Sequence, residues 1–100
     1  MNGVVSAFNE WIRVNDQQIR DSGLLYEVSE SPKDIDNVST RIDFESSDFL
    51  SRITVWNSGD CFLEAINIDT EETVLSKHLS IRNEENFDGV FKELLRVIFP

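Results

Sequence analysis

One histidine, His78, and one cysteine, Cys61, carry most of the reactive potential of this 100-residue chain. On neighbouring strands they could form a thiolate–imidazole pair, the arrangement that activates a cysteine nucleophile. The surroundings argue against it. A reactive thiol needs an electropositive, partly exposed setting, whereas this chain is strongly acidic and Cys61 falls at an inward strand position. A small buried hydrophobe is the better reading of Cys61. A single histidine cannot build a histidine-based metal cluster. Glu71-Glu72 and Glu84-Glu85 read as a solvated turn and a helix start rather than as acid/base pairs. The loop with Asp34 and Asp36 lacks the ligands of a calcium site, and the four scattered glycines make no phosphate loop. The expectation is therefore a binding protein rather than an enzyme, with no catalytic residues, no cofactor and no metal.

Composition sets the class of partner. Nineteen acidic residues face nine basic ones, a formal net charge of −10. A field of that sign repels nucleic acid and anionic membrane and attracts basic surfaces. The plainer alternative is that the charge serves solubility alone. There is no apolar run long enough to span a bilayer, and no basic region precedes an apolar core at the N-terminus. With one cysteine there is no internal disulfide, which suits a reducing cytoplasm. Forty per cent hydrophobic residues and 100 positions fit one folded domain, residues 1–100, that buries roughly two thirds of its unfolded surface.

The elements that must position these residues follow from periodicity. Phe8, Trp11, Ile12 and Ile19 recur at helical spacing over Val4 to Asp21, and Gly23 supplies the stop. Leu24 to Ser29 alternates as a first strand, broken by Ser31-Pro32 and the polar residues after it. Val38 to Glu45 alternates most regularly: Val38, Thr40, Ile42 and Phe44 against Ser39, Arg41, Asp43 and Glu45. Three further strands follow, Ile53 to Trp56, Cys61 to Ile68 and Thr73 to Ile81. Asn57-Ser58-Gly59-Asp60 and Asp69-Thr70-Glu71-Glu72 turn the chain between them. Connections this short join antiparallel neighbours. After Asn83, an N-cap candidate, Phe87, Val90, Phe91, Leu94, Leu95 and Ile98 form a second helical stripe. The expected fold is α+β: one two-layer domain in which a five-stranded antiparallel meander carries N- and C-terminal helices on the same face.

That arrangement leaves the opposite face open. With Ile53, Val55, Cys61, Leu63 and Ala65 inward, the open face presents Asp43, Glu45, Trp56, Phe62, Glu64, Ile66 and His78. The reverse phase of the fourth strand would bury Glu64 without a partner. Apolar anchors among charges make a protein-binding surface. The alternative is cross-strand packing of Trp56 and Phe62 with no partner at all.

Five stretches add a resemblance: SESP at 29–32, RIDFES at 41–46, RITVWNSGDC at 52–61, EAINID at 64–69 and VLSKH at 74–78. Together they resemble the TriTu family of bacterial immunity proteins over most of the chain, with WNSGDC the most specific part. The resemblance implies a cytoplasmic antidote of a contact-dependent growth inhibition system. It would bind and occlude a cognate basic nuclease toxin domain that cleaves transfer RNA with help from elongation factor Tu. It would touch neither nucleic acid nor membrane directly. No family motif marks the toxin contact, so the open face rests on strand phase alone. A small acidic adaptor or chaperone for a secreted basic effector shares the same size and charge and is the competing reading.

Overall fold

The computed structural model describes residues 3–81 and 87–99. Helix α1 spans Val4–Asp21, followed by strands β1 (Leu25–Glu30), β2 (Ser39–Glu45), β3 (Phe49–Trp56), β4 (Asp60–Asn67) and β5 (Thr73–Ser80). Two short helices, α2 (Phe87–Val90) and α3 (Lys92–Ile98), close the chain. The strands lie side by side in sequence order, every pair antiparallel. This is the expected α+β meander.

Helix α1 buries Phe8, Ile12 and Ile19 along one stripe and ends where Gly23 takes a φ of +89°, a conformation that costs glycine little. Its first turn is capped from a distance. Gly3 at the N-cap offers no side chain, and the Val5 N–H donates instead to Asn57 Oδ1, 3.3 Å away in the β3–β4 turn. A Cβ on Gly3 would sit 2.1 Å from that same oxygen, so the close approach requires glycine. The turn itself is tightly held. The Asn57 N–H donates to Val38 O at 2.8 Å, and Gly59 has a φ of +101° at a point where a Cβ would meet the Ile81 carbonyl oxygen at 2.6 Å.

One face of the sheet is dry. Ile42, Ile53, Val55, Cys61, Leu63 and Ala65 are fully buried beneath Phe8, Phe91 and Leu94 from the helices. Helix α1 covers β2 and β3, and α3 covers β3 and β4. The two ends of the chain meet in an aromatic cluster, with ring centroids 5.8 Å apart for Phe8 and Phe87, 5.6 Å for Phe8 and Phe91, and 5.3 Å for Trp11 and Phe91. Edge-to-face pairs of this kind add to the area they bury.

Two details depart from the sequence reading. The second helical stripe is broken into α2 and α3 at Phe91, whose ψ of 10° leaves the helical region while its ring is fully buried. Backbone hydrogen bonds still cross the break, from Phe91 N–H to Phe87 O and from Leu95 N–H to Phe91 O. The N-cap expected at Asn83 lies outside the described residues. Strand β3 begins at Phe49 rather than Ile53, which adds Phe49, Leu50 and Ser51 to the sheet. Among the described residues no helix is long and apolar enough to cross a membrane.

Candidate functional site

The helices leave the far side of the sheet uncovered, and strand register arranges its side chains in rows. The first row runs Leu25, Glu45, Leu50, Ile66; the second runs Glu27, Asp43, Arg52, Glu64, Ser76. The third runs Ser29, Arg41, Thr54, Phe62, His78, and Trp56 lies beyond it, opposite Ser39. All seven residues expected on the open face occur in this grid: Glu45 and Ile66, then Asp43 and Glu64, then Phe62 and His78, then Trp56.

The centre of the grid is neutralised from within. Asp43 accepts from Arg52 Nε at 2.6 Å and from Arg41 Nε at 3.1 Å. The hydrogen bond to Asp43 holds the Arg52 guanidinium above its ordinary pKa, and the charge of Glu64 adds to this. Both arginines are more than a third exposed, so each pair is worth little on its own. Their effect is to cancel charge at mid-face.

The two ends of the face differ. Toward Trp56 lies a hollow of about 350 Å³ bordered by Thr54, Trp56, Arg41 and Arg52. Trp56, beside it, and Phe62 are only partly exposed. Toward the β2–β3 and β4–β5 turns lies a smaller hollow of about 220 Å³ lined by Leu25, Leu50, Glu27, Asp43 and Glu45. At this end the apolar side chains stand in solvent: Leu25 is 67% exposed and Leu50 46%. Neither belonged to the expected set. Leu50 was missed because β3 was begun after it, although Leu50 and Arg52 continue the alternation of the strand. Leu25 stands opposite Glu45 on this face, and the alternation of the first strand alone does not say which of its sides points out.

The one thiol and the one imidazole cannot cooperate. Cys61 pairs with Leu79 and His78 with Phe62, so the two side chains project from opposite faces. Burial pushes the Cys61 thiol up to about 12, which keeps it protonated and unreactive. His78 is exposed, with Nε2 at 3.7 Å from Asp60 Oδ1. Among the described residues no three His, Cys, Asp or Glu side chains gather as metal ligands. On the helical side a cleft of about 220 Å³ opens between α1 and α3, lined by Trp11, Asn15, Ile19, Phe44, Leu95 and Phe99. The Trp11 indole donates to Asp88 at 2.9 Å beside it.

The family described as immunity protein TriTu matches residues 6–97, nearly the whole fold from α1 to α3. No curated protein matches the chain.

Proposed function

The chain belongs to the TriTu family of immunity proteins, and from that premise we propose that it acts in the cytoplasm by binding one cognate toxin and occluding it, without catalysis. The toxin is a basic nuclease domain of a contact-dependent growth inhibition system, one that cleaves transfer RNA with the help of elongation factor Tu. The open face of the sheet makes the contact through the region of Asp43, Glu45, Glu64 and Ile66 and, farther along, Trp56, Phe62 and His78.

The observation that carries the binding reading is the uncovered sheet face, where apolar side chains stand exposed among acids on a chain of net charge −10. A nuclease that grips RNA presents cations, and opposite charges speed the encounter of two such surfaces.

The test uses the toxin domain encoded beside this chain's gene, purified and mixed with the protein. One-to-one binding that abolishes transfer-RNA cleavage is the expected result. Raising the salt should slow association far more than it speeds dissociation, because steering acts on the approach. Weak binding that leaves cleavage intact would favour the adaptor reading. A salt-independent association rate would remove the electrostatic part of the argument.

A further inference from the structure

Exposed apolar residues are unevenly spread over this molecule. Of the eight large ones among the described residues, five (Leu25, Leu50, Ile66, Ile68 and Val74) gather where the β2–β3 and β4–β5 turns meet the open face. Leu25, Leu50 and Ile66 form a row across the sheet, interrupted only by Glu45. Val74 is left over by the irregularity in the β4–β5 register at Ala65 and Ile66. Such a patch is costly to leave in water unless something covers it.

The charge around the patch narrows what that is. Residues 45–50 and 66–75 contain Glu45, Asp48, Asp69, Glu71 and Glu72 and not one lysine or arginine. Elsewhere on the face Arg41 and Arg52 cancel Asp43 and Glu64; here nothing in the adjoining turns offsets the acids. A second copy of this chain would bring the same five carboxylates against them, and nucleic acid would bring phosphates. Both are disfavoured by like charge.

The acids are also held in place. Asn67 Oδ1 accepts the N–H groups of Asp69 at 2.9 Å and Thr70 at 3.0 Å, and Asn67 O accepts that of Glu71 at 2.8 Å. The Ile68 N–H donates to Asp48 O at 2.9 Å, tying the two acidic turns together. Glu71 has a φ of +60°, a left-handed conformation that disfavours every residue except glycine and, to a lesser degree, Asn and Asp. An ordered surface loses less entropy on binding than a mobile one.

We infer that the Leu25–Leu50–Ile66 row with its two acidic turns is the principal docking surface for the toxin, and that it receives a basic segment whose lysines or arginines alternate with apolar side chains. This rests on the immunity reading above and adds a location to it. The Trp56 end of the same face then contributes contact area but little energy.

The deciding experiment measures the affinity of the adjacent-gene toxin domain for the intact protein and for Leu25→Arg, Leu50→Arg and Trp56→Ala. Each arginine should weaken binding by about 30-fold or more, the effect of removing a hot spot, while Trp56→Ala should cost less than either. Thermal unfolding serves as the folding control, and Leu25, the more exposed of the two leucines, is the substitution least able to disturb it. Wild-type affinity in both arginine variants, or a larger loss in Trp56→Ala, overturns the inference and leaves the immunity reading intact. Concentration-dependent dimerisation of the free protein that Leu50→Arg abolishes also overturns it, in favour of a second copy. No binding by the unaltered protein would remove the immunity reading itself, and the docking surface with it.

Discussion

Leu63 and Leu50 are leucines on adjacent strands of one sheet, and they have opposite fates. Leu63 faces the helices and is fully buried; Leu50 faces away and is 46% exposed. The covered face is packed by Phe8, Phe91 and Leu94, whereas the open face is a grid of charges with apolar residues stranded at one end. Stability is concentrated on one side of a single-layer sheet. The other side is thereby free to change with a partner, since its side chains contribute little to holding the fold. A protein that must match one particular toxin benefits from that division.

Substitutions on either side can break the comparison. The largest effect is expected at Leu63→Ala, which should lose about 2–5 kcal/mol of unfolding free energy through lost burial and an unfilled cavity. Leu50→Ala should stay within about 0.5 kcal/mol of wild type, the usual range for surface changes. Chemical denaturation reads both, and comparable losses at the two sites would end the claim that the faces divide their roles. Asn57→Ala comes next, at about 1 kcal/mol, the ordinary value of a helix cap, because the Asn57 side chain serves the first turn of α1 from the β3–β4 turn. Toxin affinity should not change in this variant. A selective loss of affinity would instead extend the interface from Trp56 into the Asn57–Asp60 turn. WNSGDC carries the family resemblance most specifically, yet beyond Trp56 the structure gives it a scaffolding role.

The effect confined to the narrowest conditions appears only at high pH and is read at Cys61, on the covered face. Burial raises the Cys61 thiol to about 12, whereas in the unfolded chain it titrates near 8.5. Between those values the unfolded state has lost a proton that the folded state retains, so stability should fall as pH rises through that window. Below it the group contributes no slope. Unfolding titrations of wild type and Cys61→Ala should diverge in slope only above about pH 8.5. Parallel curves would mean that the thiol is better solvated than its burial implies.

Much of this fold was legible from periodicity alone. The limits of α1, the order of the strands and the inward phase of Ile42, Ile53 and Val55 follow from spacing two or spacing three to four, whereas the phase of Cys61, Leu63 and Ala65 needed the further argument that the reverse would bury Glu64. Leu50 shows where that logic stops. Its strand places Ser51 in the core, 5% exposed, and Leu50 in solvent, the reverse of what hydrophobicity prefers, so a reading that seeks apolar residues inside starts the strand too late. The Arg41–Asp43–Arg52 cluster was equally hidden. It depends on which residue of β3 stands opposite Asp43, and register is a property of paired strands rather than of either one. The break at Phe91 follows from tertiary packing, because the ring is held against Phe8 and Trp11 while the backbone around it yields.

The aromatic cluster also bears on how the protein is made. Phe8 is synthesised well before its ring partners Phe87 and Phe91, with all five strands between them. The meander can pair strand by strand as it emerges, each with the one before it, yet the layer that seals it stays incomplete until α2 and α3 have followed. A nascent chain that has not yet made α2 and α3 would hold a paired sheet with its apolar face unsealed. A chain ended after Ile81 should fail to bury Phe8, and near-ultraviolet circular dichroism would register the lost aromatic packing.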